Sequence, residues 1–291
     1  MRPLFSCVMP VKGPRPYMEE ALASLAAQGM GDDLEVIVQD GDCGERGTGN
    51  GERGTGNGER GMGNGERVRW VEEEDCGQAD AFNRGFAKAR GEWLFWLNAD
   101  DVLLPGALES VKLKAKSEEL KARNGDGSGI EWIVGNQLLI DESSRVQRGS
   151  VGPGWHDWLY RHSVPHVYGP SAFFRRELLE RVGGFDVSLH FCMDWDLWIR
   201  FMKAGARFGR IDRYLWGQRQ WPGSKTQRPH DDEEGRMQWS EVVGMRRKNG
   251  FSITRGGLLL SRAWRVLNGN YLTEWRDGRR LRGRKANECV G

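Results

Sequence analysis

A chain of 291 residues can bury one large α/β domain with an appendage, or two small domains, and we favour the first. Its formal net charge of +2 conceals a basic tail, because nine arginines and lysines between Arg255 and Lys285 face only Glu274 and Asp277. Five scattered cysteines without a Cys-x-x-Cys pair argue against a disulfide framework or a zinc site and favour a reducing compartment. Since no apolar run reaches membrane-spanning length and no signal peptide is evident, we expect a cytoplasmic protein.

The first part of the chain predicts a β-α-β unit. Residues 4–9 form a short apolar strand closed by Pro10, and a helix with apolar residues at helical spacing begins near Pro16. Residues 34–41 predict a second buried strand. This order implies two parallel strands joined by a right-handed crossover.

A seven-residue repeat, Gly-Glu-Arg-Gly-Thr-Gly-Asn, begins at Gly44 and ends in a fragment at residues 65–67. Its glycines make a helix costly, and it lacks the apolar seam of a coiled coil. Each arginine stands beside a glutamate and no aromatic residue is available for base stacking, so we expect no nucleic-acid partner. We interpret residues 44–67 as a flexible, solvated loop insertion.

The most informative stretch is residues 92–101, where a continuous apolar run stops at Asn98, Asp100 and Asp101. This pattern is typical of a strand buried on both faces that delivers its polar end to a cleft. Carboxylate oxygens on a strand end suit Mg²⁺ or Mn²⁺ bound to a substrate pyrophosphate. The alternative is that an aspartate caps the next helix, and both roles can hold at once.

The remaining pattern predicts further elements and a second acidic pair. The predicted helices cover residues 79–89, 105–121, 177–182, 193–201, 231–248 and 257–271, and the predicted strands cover residues 68–71, 131–140 and 171–174. Asp194 and Asp196 fall at the start of one of these helices, where the helix dipole stabilises a carboxylate. Either could be only a cap, but a metal-assisted transferase needs a second acid as a base.

Nine short motifs follow one another along the chain. They are Val8-Met9-Pro10-Val11, residues 35–41, residues 74–85, Ala89-Arg90-Gly91-Glu92, Leu97-Asn98-Ala99-Asp100-Asp101, Phe173-Phe174-Arg175-Arg176, Gly183-Gly184-Phe185-Asp186, residues 193–200 and Pro222-Gly223-Ser224-Lys225-Thr226. In this order, the motifs resemble family 2 glycosyltransferases, which use nucleotide sugars and have the GT-A fold. The resemblance covers residues 5–226.

The resemblance implies a single GT-A-like, Rossmann-type α/β domain over residues 1–226, with a mixed, mostly parallel sheet flanked by helices. Residues 227–291 lie beyond it and predict a basic, helical C-terminal extension. The extension fits either packing on the catalytic domain or peripheral contact with the inner face of the cell membrane. The implied reaction is inverting transfer from a nucleotide sugar, a UDP-sugar foremost, to a glycan or lipid-linked acceptor.

The resemblance also assigns site residues. Asp100 is the implied ligand of Mn²⁺ or Mg²⁺, and Asp194 is the implied general base. The implied nucleotide-sugar-binding residues are Pro10, Val11, Asp40, Asp75, Asp80, Asn83, Asn98, Ala99 and Asp100.

The sequence departs from the family pattern at three places. Asn98 stands where many relatives have Asp, Met193 where many have Glu, and Arg219-Gln220-Trp221 where relatives commonly read Arg-x-His. Either Asp100 and the diphosphate alone hold the metal, or His230 substitutes for the missing histidine. The departures at Met193 and Trp221 also motivate an alternative function, a catalytically weakened relative that binds glycans or acts as a scaffold.

Overall fold

The computed structural model describes residues 2–13, 15–41, 59–62, 66–123, 129–152, 154, 156–164, 167, 169–224 and 233–289. Strands run over Phe5–Val11 (β1), Leu34–Asp40 (β2), Glu59–Met62 (β3), Glu66–Glu72 (β4), Trp93–Trp96 (β5), Val102–Leu103 (β6), Trp132–Ile140 (β7), Val146–Ser150 (β8), Ala172–Arg175 (β9) and Phe208–Arg219 (β10). Helices run over Met18–Ala26 (α1), Gln78–Lys88 (α2), Ala107–Arg123 (α3), Asp157–His162 (α4), Arg176–Val182 (α5), Met193–Lys203 (α6), Glu233–Lys248 (α7), Arg255–Leu267 (α8) and Asn270–Leu281 (α9).

The ten strands in the described part of the chain form one mixed sheet. Their order is β3-β4-β2-β1-β5-β9-β7-β10-β6, with β8 paired to β7 outside this path. β4, β2, β1 and β5 are parallel, as are β7 and β10, whereas the other neighbours are antiparallel. The predicted mixed α/β fold is confirmed, with its parallel pairing concentrated in the first half of the chain.

The sheet buries apolar side chains on both faces because successive strand residues point to opposite sides. On β1, Phe5 belongs to one core cluster and Val8 to the other. α2 covers the second face closely, since a methyl group built on Gly85 would lie 2.5 Å from the Val8 side chain. This approach places the start of α2 beside the carboxyl end of β1.

A stack of three tryptophans attaches α6 to the sheet. The Trp198 ring lies between Trp96 of β5 and Trp132 of β7, with ring-centroid distances of 5.7 and 5.2 Å. Large buried aromatic rings contribute most of the apolar area in such a core. The stack therefore fixes the position of α6, whose first turn contains Asp194.

Several elements differ from the sequence prediction. The helix predicted over residues 257–271 is two helices, because Gly269 adopts a left-handed φ of 67° between them. α4, β8 and β10 were not predicted. The pairing of β10 with β7 contains register shifts, which interrupt the alternation that identifies a strand in a sequence.

Part of the repeat insertion is a strand, which corrects the predicted loop. β3 pairs antiparallel with β4, with Glu59 opposite Arg69 and Met62 opposite Glu66. The backbone edge of β4 that faces away from β2 offers hydrogen-bonding groups to an extended segment, and β3 pairs with this edge. Residues 42–58 and 63–65 lie outside the described residues.

The C-terminal helices contact the α/β body at separate places. α8 packs on α4 and α9 packs on β8. After α9, the Gly283 N–H donates to the Val146 carbonyl oxygen at 2.8 Å.

The predicted domain boundary at residue 226 lies outside the described residues and stays a prediction. Within the described ranges, no helix combines the length and the apolar character needed to cross a membrane.

Candidate active site

A cleft of about 780 Å³ opens at the carboxyl ends of β1 and β5. Its walls come from the residues that follow these strands, from the first turns of α2 and α6, and from the end of β10 with the segment after it. Open α/β sheets bind their ligands at such strand ends. The cleft is therefore the candidate active site.

The cleft brings together seven of the ten predicted site residues. They are Pro10, Val11, Asp75, Asn98, Ala99, Asp100 and Asp194. The candidate metal ligand and the candidate base thus share one cleft although they are far apart in the sequence. Asp40, Asp80 and Asn83 are not among the described residues that line it.

Asp40 contributes to the cleft through an arginine. Its Oδ2 accepts a hydrogen bond from Arg15 Nη2 at 2.6 Å, and Arg15 itself lines the cleft. The guanidinium also lies 5.6 Å from the centroid of the Trp70 ring. Held between these two neighbours, Arg15 presents a positive charge where an anionic ligand would bind.

Asp80 and Asn83 have structural contacts on α2. Asp80 Oδ2 accepts from the Cys76 N–H at 3.0 Å and from Arg84 Nε at 2.8 Å, and these bonds hold the pKa of Asp80 below its usual value. Asn83 exchanges two hydrogen bonds with the backbone of Phe185, at 2.9 and 2.7 Å. These contacts position α2, and the predicted contact of Asp80 and Asn83 with a nucleotide sugar stays a prediction.

Asp101 supports the turn after β5 and does not cap a helix. α3 begins only at Ala107, with β6 in between. Asp101 is buried, and it accepts hydrogen bonds from the Arg219 N–H and Asn98 Nδ2, each at 2.9 Å. Burial, with the neighbouring Asp100 carboxylate, raises the pKa of Asp101. Both acids line the cleft, but Asp101 is buried and engaged by these contacts, so Asp100 is the more accessible acid of the pair.

A fully buried arginine holds this turn in place. Arg219 Nε donates to the Asp100 carbonyl oxygen at 2.8 Å, and Nη2 pairs with Glu20 Oε2 at 2.7 Å. Its Nη1 donates to Ser144 Oγ at 2.9 Å, and its guanidinium lies 4.3 Å from the Tyr17 ring centroid. The motif position was visible in the sequence, but nothing local indicated that Arg219 would bond to the backbone of Asp100.

Trp221 binds directly to the candidate metal ligand. Its indole Nε1 donates to Asp100 Oδ2 at 2.8 Å, and its ring packs edge-on against Tyr17 with centroids 5.5 Å apart. Gly223 lies against the same ring, where any side chain would overlap it. The residue that replaces the family's histidine therefore contacts Asp100 itself. The proposed substitute, His230, lies outside the described residues.

The candidate base lies at the start of α6. The Trp195 N–H donates to Asp194 Oδ1 at 2.8 Å, and burial raises the pKa of Asp194 to about 6. A methyl group built on Gly169 would lie 2.7 Å from Trp96 and 3.5 Å from Asp194 Oδ2. Asp196 differs, because its two oxygens bind Arg200 Nε at 2.6 Å and an asparagine amide at 3.1 Å.

A glutamate from α7 organises the loop before α6, and sequence reasoning missed it. Glu241 accepts backbone hydrogen bonds from His190 at 2.9 Å, Phe191 at 2.7 Å and Cys192 at 2.9 Å. Although burial opposes it, these bonds lower the pKa of Glu241 below its usual value. Since His190 and Phe191 line the cleft, this carboxylate ties α7 to the active-site wall.

Asp100 fits a divalent cation that arrives with a diphosphate. Mn²⁺ and Mg²⁺ prefer carboxylate, water and phosphate oxygens, and Asp100 has one oxygen besides the one bound by Trp221. Within the described ranges, no group of three His, Cys, Asp or Glu side chains could hold an ion by itself. The donor set therefore suits a cation shared between Asp100 and the substrate.

Residues 6–183, more than half of the chain, match the family model described as Glycosyl transferase family 2. The chain therefore belongs to this family, and its fold is that of the GT-A glycosyltransferases.

Named relatives agree with this assignment. An uncharacterized glycosyltransferase of Rickettsia prowazekii (strain Madrid E) is 25% identical over 214 residues, which cover 70% of this chain and 60% of that protein. The O-antigen biosynthesis protein RfbC of Myxococcus xanthus is 28% identical over 230 residues, which cover 78% of this chain and 16% of that protein. The chain thus spans only about 60% of the first of these relatives.

Two solved structures share the fold. Residues 1–349 of TarS from S. aureus, in complex with UDP-GlcNAc, superpose with a TM-score of 0.54 at 17% identity, covering 82% of this chain and 66% of that chain. The mannosyltransferase PcManGT from Pyrobaculum calidifontis, in complex with GDP-Man and Mn²⁺, has a TM-score of 0.54 at 18% identity, covering 96% of this chain and 74% of that chain.

Proposed function

We propose that this protein is a metal-dependent, inverting glycosyltransferase that moves a sugar from a nucleotide diphosphate sugar to a hydroxyl of a glycan or glycolipid in polysaccharide synthesis. The observation that carries the proposal is that Asp100 and Asp194 face one cleft of about 780 Å³. Of the possible donors we propose a UDP-sugar. Support comes from a fold neighbour bound to UDP-GlcNAc and from a relative named for O-antigen biosynthesis.

In the proposed mechanism, Asp194 takes the proton from the acceptor hydroxyl. A pKa of about 6 makes it a stronger base than an exposed carboxylate while it is still ionised at neutral pH. Because the Trp195 N–H occupies Oδ1, we assign proton acceptance to Oδ2. The acceptor oxygen attacks the anomeric carbon, the bond to the diphosphate breaks on the opposite face, and the configuration inverts.

Asp100 would hold the cation in this scheme, with Arg219 fixing the turn that presents it. A bound Mn²⁺ or Mg²⁺ would stabilise the negative charge of the leaving nucleoside diphosphate. Arg15, held by Asp40, supplies a further positive charge at the cleft. The remaining predicted residues on the wall shape the donor pocket; they are Pro10, Val11, Asp75, Asn98 and Ala99.

Calorimetry with UDP, GDP and dTDP, each with and without Mn²⁺, tests the proposal. We expect one nucleotide to bind in a Mn²⁺-dependent manner, followed by release of that nucleotide in a donor screen and an inverted anomeric signal in the product. Asp100→Ala should abolish transfer and weaken Mn²⁺-dependent binding, whereas Asp194→Ala should abolish transfer alone. Asp212→Ala, at an exposed acid on β10, is the matched control.

A second candidate function is a catalytically weakened relative that binds glycans or acts as a scaffold. One observation favours it, namely the bond from Trp221 to the oxygen of Asp100 that a cation would otherwise share. If no nucleotide binds under any of the conditions above, the enzyme proposal is wrong and this alternative replaces it.

A further inference from the structure

The two last helices of the described chain are packed the opposite way round from ordinary surface helices. α8 buries the small residues Gly257 and Ser261 against the body of the protein. A side chain on Gly257 would overlap the backbone of His162 in α4. Most large apolar residues of the same helix point outward, with Leu258 and Trp264 half-buried, although a surface helix normally turns its apolar stripe to the core.

These outward side chains form what we call the C-terminal apolar face. It consists of Leu259, Leu260, Val266 and Leu267 on α8, with Leu272 and Trp275 on α9. Leu267 is 80% exposed and Leu272 is 68% exposed. The two helices contact each other across a short turn, which brings the end of one apolar stripe next to the start of the other. Clustered apolar exposure of this kind marks an interaction site rather than scattered surface residues.

The charges around the apolar face have one sign. Exposed arginines flank it at Arg262, Arg279, Arg280, Arg282 and Arg284, and exposed Arg276 pairs with Asp277 at 3.4 Å. The two acids of these helices are already engaged: Glu274 pairs with Arg265 at 2.6 Å, and buried Asp277 accepts from Tyr214 Oη at 2.9 Å. The surface presented to a partner is therefore apolar in its middle and cationic at its margin.

The helices are attached to the body by polar contacts that do not use the apolar face. At the start of α8, the Thr254 N–H donates to the His162 carbonyl oxygen of α4 at 3.0 Å. On α9, Glu274 accepts from the Val151 N–H at 2.8 Å, and buried Asn270 donates to the Gly152 carbonyl oxygen at 3.2 Å. The orientation that exposes the leucines is thus built into the fold.

We propose that α8 and α9 form an interfacial anchor that binds the surface of an anionic lipid bilayer. The C-terminal apolar face enters the boundary between headgroups and acyl chains, while the flanking arginines pair with lipid phosphates. A second copy of this chain fits less well, because a symmetric contact would place the same arginines against each other. The inference goes beyond the proposed function, since neither donor nor acceptor enters it.

Vesicle flotation tests this anchor with the whole protein. The two preparations are phosphatidylcholine alone and phosphatidylcholine with about one third phosphatidylglycerol. We expect the wild type to float only with the anionic vesicles. Neutralising Arg279 and Arg280 with glutamine should weaken binding about fivefold for each charge removed. The double variant Leu267→Glu, Leu272→Glu should lower the partition coefficient at least about tenfold.

The matched control makes the same chemical change elsewhere. Leu113 and Leu120 on α3 are 58% and 52% exposed, so Leu113→Glu, Leu120→Glu should float like the wild type. Circular dichroism and the midpoint of thermal unfolding check that both double variants fold. The proposal is overturned if the wild type ignores anionic vesicles, or if both double variants float equally well. It is also overturned if light scattering shows that the wild type is a dimer and the Leu267→Glu, Leu272→Glu variant a monomer, and if neither of these two proteins binds vesicles.

Discussion

Replacing Asp194 by asparagine should make the protein more stable and abolish the proposed sugar transfer. The carboxylate is partly buried at the start of α6, and asparagine has the same shape and keeps an oxygen for the Trp195 N–H. Burial disfavours a charge far more than a neutral amide that is hydrogen-bonded. An active site often retains such an unfavourable group because its chemistry requires it.

The pKa of Asp194 gives the magnitude and the sign. The native pKa of about 6 lies above the ordinary value of 3.8. Between these two values, the native state binds a proton that the unfolded state has released. This difference corresponds to about 3 kcal/mol of the free energy of unfolding. The penalty is fully present above pH 6 or so, and it disappears as the pH falls towards about 4. The variant should therefore gain up to about 3 kcal/mol at pH 8 and almost nothing at pH 4.

Denaturant unfolding at several pH values, together with nucleotide release, measures both effects. Asp196→Asn is the matched control, since it makes the same change two residues along the helix but breaks the 2.6 Å ion pair with Arg200. It should lower the free energy of unfolding by about 3 kcal/mol. The reasoning is refuted if Asp194→Asn turns over donor like the wild type, or if its stability gain is absent at pH 8.

Three further predictions follow from the same contacts. In the wild type, kcat/KM should fall about tenfold per pH unit below the Asp194 pKa of about 6, because a protonated base cannot accept a proton. Trp221→Phe removes the N–H that competes for Asp100 Oδ2, so calorimetry should show Mn²⁺-dependent nucleotide binding that is about tenfold tighter. Glu241→Gln exchanges one acceptor oxygen for a donor that faces the His190 N–H, so it should cost about 2 kcal/mol of stability and lower kcat more than it changes KM.

Each of these three has an outcome that contradicts it. A kcat/KM that stays level down to pH 5 excludes Asp194 as the base. Unchanged or weaker Mn²⁺-dependent binding in Trp221→Phe means that the indole does not compete with the cation. For Glu241→Gln, the control is Glu109→Gln at an exposed position on α3. Equal kcat and equal stability in the two variants would mean that Glu241 does not position the loop before α6.

Local patterns identified much of the fold and the centre of the site. The apolar run before Asn98 identifies β5, and the polar residues that follow it reach the cleft because parallel strands end at the same edge of the sheet. Helical spacing likewise located α6 and put Asp194 in its first turn. These features depend only on residues close together in the chain, so periodicity and residue chemistry predict them.

Contacts between distant segments decided the rest. Arg219 reaches the Asp100 backbone only because β10 pairs with both β7 and β6, and the register shifts of β10 hide that strand from an alternation pattern. No spacing rule links Glu241 to the loop before α6. The apolar stripe of α8 predicted an amphipathic helix, but a stripe does not state which way it faces. In the folded protein, the face of α8 with the small residue Gly257 is turned to the interior, because this face allows the helix to lie directly on α4.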